Sequence, residues 1–147
     1  GHKVVFLQQD VLRRGILNVS DKEGNPVVGL IDHLVRYGHN QGYDVILEGI
    51  LTNEKYGVML KQLLPLFELT HVYYLDITFE ETLRRHAQRP QRHDFGETEL
   101  RTWWREKDYL DVTAEQIIDD QLSADEIAAK IVKDILEKDA FHEPSNS

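Results

Sequence analysis

Residues 44–48 read DVILE, a nearly continuous run of β-branched and aliphatic side chains that Gly49 follows directly. A short run of this kind, bounded by turn residues, predicts a buried strand of a parallel sheet. Three further runs of strand type stand at residues 3–7 (KVVFL), 71–76 (HVYYLD) and 115–119 (EQIID). We expect the first three strands to be covered on both faces, because their apolar residues do not alternate with polar ones.

Helical patterns fill the intervals between these strands. The stripe of apolar residues after the second strand should end just before Pro65, because proline does not continue a helix. Two capping boxes of the form S/T-x-x-E mark further helix starts, at Thr78 with Glu81 and at Ser123 with Glu126. This alternation of strands and helices predicts an α/β fold with a mostly parallel sheet.

The composition is that of one soluble globular domain. Of the 147 residues 41% are hydrophobic and 29% are charged, and no apolar run approaches the roughly 18 residues that a membrane helix needs. The absence of cysteine fits a reducing, cytoplasmic setting. The formal net charge of -9 argues against a general affinity for nucleic acid, because that affinity needs many basic contacts with phosphates. We expect a single domain over residues 1–142 and a flexible tail at 143–147.

The segment 84–96, RRHAQRPQRHDFG, differs from the rest of the chain because it is rich in basic residues and lacks apolar periodicity. We interpret it as a mobile loop after a short helix. Arg85 and Arg89 are spaced i, i+4 on one helical face, and Arg92 follows after Pro90. An exposed basic loop in an acidic protein is the simpler interpretation, but the density of arginine favours a functional role for this segment.

Polar side chains stand where the predicted strands end. Asp10 follows the first strand, Glu48 closes the second and Asp76 closes the third. Ligands of open α/β sheets bind beyond the carboxyl ends of the strands, so we expect these carboxylates and the basic segment to face one crevice. Asp10 can equally cap the helix that VLRRGIL predicts, and Glu48 can cap the turn that follows it.

Three stretches of the chain resemble one protein family. They are QQDVLRRGIL (8–17), VILEGILTNEKY (45–56) and YYLDITFEETLRRHAQRP (73–90). Their order along the chain resembles that of the bacterial P-loop small-molecule kinases grouped with zeta toxins, gluconate kinases and chloramphenicol phosphotransferases. The similarity continues through residues 95–110 and 117–127, so it covers nearly the whole chain. Members of that group transfer the γ-phosphoryl of ATP to a small hydroxyl-bearing acceptor.

The resemblance implies a three-layer α/β fold of the P-loop kinase type, with ATP and Mg²⁺ as cofactors. It implies that Asp10 is the general base that accepts the proton of the acceptor hydroxyl. Arg85 and Arg89, in an arginine-bearing lid at about 84–96, would stabilise the transferring phosphoryl group.

The other site residues that the resemblance implies hold the substrates in place. Arg13 with Glu48 would position the acceptor, and Arg92 of the lid would contact ATP. Arg14 is a second candidate for acceptor binding, although a solvated surface arginine is the interpretation that we favour for it.

The family's phosphate-binding loop is missing from these residues. Members open with a strand, a G-x-x-x-x-G-K-[ST] loop and a helix, whereas this sequence starts where their second strand would and contains no Gly-Lys dipeptide. In the family's strand order of 2-3-1-4-5 the missing strand is the central one. We expect the natural protein to include these residues. The alternatives are a fragment that another chain completes, or a rearranged sheet in which the second and third visible strands pair.

The expected function is that of an ATP-dependent phosphotransferase acting on a small hydroxyl-bearing molecule, although we do not expect catalysis by these 147 residues alone. The alternative is a non-catalytic binding module that self-associates through exposed strand edges. A phosphate-ester hydrolase is a second rival, but the carboxylates show no recognisable metal spacing. His86 and His93 lie seven residues apart without a third ligand at fixed spacing, so no metal site is assigned.

Overall fold

The structure is a computed structural model that describes residues 3–89 and 96–142. Its contacts divide the chain into two compact units. The first comprises Gly1–Glu68 with Asp108–Val112, and the second comprises Leu69–Lys107 with Thr113–Ser147. The expected tail at 143–147 and residues 90–95 of the expected lid, with Arg92 and His93, lie outside the described residues.

The first unit is built on two parallel strands, β1 (Val4–Gln8) and β2 (Asp44–Glu48). They pair in register, from Val4 opposite Asp44 to Gln8 opposite Glu48. The connecting elements are a π-helical segment (Val11–Leu17), helix α1 (Val27–Asn40), helix α2 (Asn53–Leu63) and a 3₁₀ turn (Leu64–Leu66). Helix α2 ends two residues before Pro65, as the sequence predicts.

The core of the first unit forms where α1 and α2 pack on one face of this sheet. Val27, Ile31 and Tyr56 are its fully buried side chains, and burying an aliphatic side chain of this size contributes about 1.5–3 kcal/mol. Gly38 allows α1 to approach β2 closely, because a Cβ at that position would lie 2.9 Å from Cγ2 of Val45.

The opposite face of the β1–β2 sheet is open among the described residues. Side chains alternate along paired strands, so Val4, Phe6 and Ile46 share that face. They are 50%, 57% and 48% exposed. The expectation that these strands are covered on both faces is therefore wrong for the part of the chain that the structure describes. The physical reason is that both α-helices of this unit pack on the same face of the sheet.

The second unit is built on another parallel pair, β3 (Val72–Leu75) and β4 (Glu115–Ile118). Its described residues form three helices: α3 (Phe79–Ala87), α4 (Glu97–Trp103) and α5 (Ala124–His142). At the start of α5 the predicted capping box is complete. The amide of Glu126 donates to Oγ of Ser123 at 3.2 Å, and the amide of Ser123 donates to Oε2 of Glu126 at 3.3 Å.

Helix α5 is attached to the β3–β4 sheet by a polar cluster around Asp134. The hydroxyl of Tyr73 donates to Oδ2 of Asp134 at 2.9 Å, and Nζ of Lys130 donates to the same oxygen at 3.1 Å. The Tyr73 hydrogen bond and then that of Lys130 lower the pKa of Asp134. Burial, followed by the hydrogen bond to Asp134, raises the pKa of Tyr73. Asp134 is therefore held as the carboxylate that accepts these hydrogen bonds, and Tyr73 is held as the neutral hydroxyl that donates one.

The basic segment departs from its expected structure. Helix α3 continues through residues 84–87, which the sequence placed in a loop, and it ends at Ala87. Arg89 lies beyond this end, so Arg85 and Arg89 do not share a helical face as expected. Glu81 forms ion pairs with Arg84 and Arg85, which lie three and four residues further along the chain. Pairs at these spacings stabilise a helix, so they favour its continuation through residues 84–87. Basic side chains near its end also suit the helix dipole.

Strand pairing among the described residues joins β1 with β2 and β3 with β4, in both cases parallel. The α/β fold class is confirmed in this form. The described strands do not show the rearranged sheet, in which the second and third strands would pair. Within residues 3–89 and 96–142, every helix is too short or too polar to cross a membrane.

Candidate functional site

Asp10 lies two residues beyond the end of β1 and forms a cluster with two arginines. Its Oδ1 atom is 2.9 Å from Nη2 of Arg13 and 2.7 Å from Nε of Arg14. Its side chain makes no capping hydrogen bond to the π-helical segment, so the alternative interpretation of Asp10 as a helix cap does not hold. The side chain is 45% exposed, which leaves part of this carboxylate accessible to a ligand.

The two arginines of this cluster differ in exposure. The Arg13 side chain is only 8% exposed, and its Nη1 atom donates to the carbonyl oxygen of Val19 at 3.0 Å. It therefore ties Asp10 to the turn that follows the π-helical segment. The Arg14 side chain is 33% exposed. The role of Arg13 in positioning an acceptor stays a prediction, and of the two cations Arg14 is the more accessible to an anion.

Glu48 stands at the carboxyl end of β2, beside the end of β1. Nε2 of Gln8 donates to Oε1 of Glu48 at 3.1 Å across the strand pair. Gly49 then has a φ of 145°, and a Cβ at this position would lie 2.7 Å from Cβ of Gln9. The chain can turn this close to Gln9 only because residue 49 is glycine. The structure thus brings Glu48 next to the strand that leads to Asp10.

A buried hydrogen-bond network supports this end of the sheet, and sequence reasoning missed it. Nε2 of Gln9 donates to the Tyr56 hydroxyl at 2.9 Å, and that hydroxyl donates to Oδ1 of Asp21 at 2.9 Å. Nζ of Lys55 lies 3.3 Å from Oδ2 of Asp21. Burial raises the pKa of Tyr56, and its hydrogen bonds modify the effect. The network fixes the loop around Asp21 to α2 and to the residue that precedes Asp10.

The N-terminus of α2 is capped by a carboxylate from a distant part of the chain. The amide of Asn53 donates to Oδ2 of Asp108 at 2.8 Å. Thr52 occupies the position before the helix but makes no capping hydrogen bond with its side chain. A carboxylate at a helix N-terminus satisfies an orphan amide and interacts favourably with the helix dipole.

Arg85, a predicted lid residue, is held by contacts on α3 and after β4. Its Nε atom donates to Oε1 of Glu81 at 2.7 Å, and its Nη2 atom donates to the carbonyl oxygen of Leu122 at 3.0 Å. Arg84 bonds the same Glu81 carboxylate at 2.6 and 2.7 Å. The hydrogen bonds from Arg84 and then Arg85 lower the pKa of Glu81 from its ordinary value of 4.5 to about 2. Arg85 has to leave these partners before it can bind a phosphoryl group.

Arg89 is the more available of the two lid arginines that the structure describes. It is exposed, and its amide donates to the carbonyl oxygen of His86 at 3.0 Å. Its guanidinium has no hydrogen bond or ion pair within residues 3–89 and 96–142. His86, which the sequence placed in the loop, is buried with 8% exposure.

A cavity of about 570 Å³ lies at the carboxyl ends of β3 and β4. Asp76, which directly follows β3, lines it. The rings of Phe79 and Trp104 lie edge to face, with centroids 5.9 Å apart and planes at 65°. The guanidinium of Arg101 lies 4.5 Å from the centroid of the Phe79 ring. No periodic pattern in the sequence predicts this cavity, because its lining joins residues of the segments 76–80 and 101–107 with Asp120.

The predicted site residues belong to different compact units. Asp10, Arg13, Arg14 and Glu48 are in the first, and Arg85 with Arg89 is in the second. That they act on one substrate stays a prediction. Among the described residues, His, Asp and Glu side chains form no group of three that is arranged to hold a metal ion.

Comparisons with protein-family models, with curated proteins and with solved structures found no match for this chain.

Proposed function

We propose that this chain is the acceptor- and lid-bearing part of an ATP-dependent phosphotransferase of the P-loop kinase type, acting on a small hydroxyl-bearing molecule. Strand pairing is the observation that supports this most. A sheet of order 2-3-1-4-5 without its central strand leaves two parallel pairs, 2-3 and 4-5. In this chain β1 and β2 correspond to strands 2 and 3, and β3 and β4 correspond to strands 4 and 5. Both observed pairs are parallel, as this order requires.

In this proposal Asp10 accepts the proton of the acceptor hydroxyl as the phosphoryl group arrives. Its place beyond the carboxyl end of β1 and its 45% exposure support the role. Arg13 and Arg14 both pair with Oδ1 of this carboxylate and fix its orientation. Glu48, at the end of the neighbouring strand, orients the acceptor.

Arg89 and Arg85 supply positive charge to the phosphoryl oxygens. Arg89 is exposed and suits this role directly, whereas Arg85 exchanges Glu81 for the substrate. In the family a phosphate-binding loop adds an amide cradle to these contacts. Residues 1–147 contain no such loop, so the lid arginines are the contacts through which we expect this chain to bind the ATP phosphates. The described residues do not fit a Mg²⁺ site of their own, so no step is assigned to the metal.

Calorimetric titration with ATP and Mg²⁺ tests the proposal. We expect measurable binding that Arg89→Ala weakens about tenfold, because a charge-assisted contact with phosphate is lost. Arg36→Ala is the matched control, since Arg36 is a partly exposed arginine of the first unit that pairs with Asp32. A folded chain that does not bind ATP, or an equal loss in both variants, would contradict the proposal.

A non-catalytic module that self-associates is the second candidate, and the open face of the β1–β2 sheet favours it. Val4, Phe6 and Ile46 form an exposed apolar surface on a sheet whose other face is packed. Sedimentation velocity of the wild type, of Phe6→Ser and of Val58→Ser distinguishes the two functions. Val58 is 72% exposed on α2 and serves as the control. If the chain is a self-associating module, the wild type and Val58→Ser should be oligomers and Phe6→Ser should be a monomer. A wild-type chain that is monomeric and binds ATP would exclude this function.

A further inference from the structure

The cavity at the carboxyl ends of β3 and β4 contains none of the residues to which phosphoryl transfer is assigned. All of its lining residues belong to the second unit. Its volume of about 570 Å³ lies within the range of small-molecule pockets, roughly 300–1,000 Å³. A ligand bound here would therefore be a molecule, or a part of a molecule, that the phosphoryl-transfer residues do not contact.

Two aromatic rings form one wall of the cavity. Phe79 and Trp104 are both partly buried, so their positions are fixed by packing while part of each ring stays accessible. Planar ligands bind well to such surfaces, because ring contacts bury a large apolar area. The wall thus favours a ligand that contains a ring.

A cation already lies against this wall. The guanidinium of Arg101 is 4.5 Å from the centroid of the Phe79 ring, a distance at which a cation is attracted by the ring quadrupole. The Arg101 side chain is 65% exposed and also pairs with Glu97 at 2.8 Å. Because Arg101 keeps this second partner, a ligand ring can displace it from Phe79 without leaving the guanidinium unpaired.

The charge of the lining also favours a cation. Four carboxylates and two basic side chains surround the cavity, which leaves an excess of two negative charges. Such a concave, negatively charged surface attracts cations and repels phosphate groups. The charged residues are Asp76, Glu80, Glu106 and Asp120, with Arg101 and Lys107.

We propose that this cavity binds a ring-bearing organic cation, with the ring against Phe79 and Trp104 and the cationic group among the carboxylates. The site is independent of the proposed ATP-dependent activity, since the two share no residue.

A matched ligand series tests the proposal. Tyramine, 4-ethylphenol and 3-(4-hydroxyphenyl)propionate have the same ring and differ in charge, and NMR titration of the Trp104 indole signal reports binding. Trp104→Phe assigns that signal, because the chain has two tryptophans. We expect tyramine to bind about tenfold more tightly than the anion, with the neutral phenol between them. Equal affinities for the three ligands would overturn the proposal.

Charge-neutralising variants locate the site. Asp120→Asn and Glu106→Gln should each weaken tyramine binding about threefold to tenfold and leave 4-ethylphenol binding unchanged. Glu23→Gln removes the same charge from an exposed position in the first unit and should have no effect. If Glu23→Gln weakens tyramine binding as much as the cavity variants do, net charge explains the effect and the site is wrong. Circular dichroism confirms that each variant is folded.

Discussion

Among single residues, Gly49 stands at a position where the backbone conformation requires glycine. Its φ of 145° and the 2.7 Å approach of a Cβ to Cβ of Gln9 both exclude a larger residue. We expect Gly49→Ala to lower the free energy of unfolding by about 1–3 kcal/mol. Gly29→Ala is the control, because Gly29 lies in α1 with no atom within 4 Å of an added Cβ. Gly29→Ala should stabilise the chain by about 0.4–1 kcal/mol. Urea unfolding of both variants measures the contrast, and equal effects would contradict this account.

Glu81 makes the free energy of unfolding depend on pH in the acidic range. Its pKa is lowered to about 2 in the folded chain by Arg84 and Arg85, while the unfolded chain binds the proton near the ordinary value of 4.5. The stabilisation is therefore fully present above pH 4.5 and is lost as the pH falls towards 2. We expect the midpoint of thermal unfolding to fall less steeply over this range in Glu81→Gln than in the wild type. Glu97→Gln, which removes an exposed ion pair with Arg101, should keep the wild-type slope.

At the scale of elements, the start of α5 shows how a local motif fixes a helix. Ser123 and Glu126 exchange two hydrogen bonds and satisfy amides that the helix leaves unpaired. Ser123→Ala should cost about 0.5–2 kcal/mol of unfolding free energy. Thr78→Ala at α3 should cost less, because Glu81 bonds Arg84 and Arg85 there and only half of the box forms. Urea unfolding compares the two, and a larger loss in Thr78→Ala would show that the reciprocal bond adds nothing.

The elements that could be predicted from the sequence are those with local causes. The strands follow from apolar runs between turn residues, and the end of α2 follows from Pro65. The open face of the β1–β2 sheet could not be predicted, because apolar strands do not reveal which element covers them. The same limit applies to the network around Tyr56, whose hydrogen bonds to Gln9 and Asp21 span 47 and 35 residues. The position of Asp10 beside two arginines was accessible from the spacing in D-x-x-R-R.

At the scale of the whole molecule, each of the two compact units has its own sheet. Both tryptophans lie in the second unit, so tryptophan fluorescence reports on that unit alone, whereas circular dichroism reports on both. Tyr56→Phe removes the hydroxyl that joins Gln9 to Asp21 in the first unit and should cost about 1–3 kcal/mol.

We therefore expect Tyr56→Phe to shift the urea transition measured by circular dichroism more than the one measured by fluorescence. Tyr37→Phe is the control, because Tyr37 is 62% exposed on α1. Identical shifts of the two transitions would show that the chain unfolds as one cooperative body.

The cap that Asp108 places on α2 limits where this chain can be divided into separate domains. Residues 108–112 belong to the first unit, while the residues on both sides of them belong to the second. The polypeptide therefore passes between the units at three points, after residues 68, 107 and 112. A gene divided after codon 68 would encode a first unit whose Asn53 amide has lost its carboxylate partner. Insertions and deletions near residue 108 are thus constrained by a helix that begins 55 residues earlier.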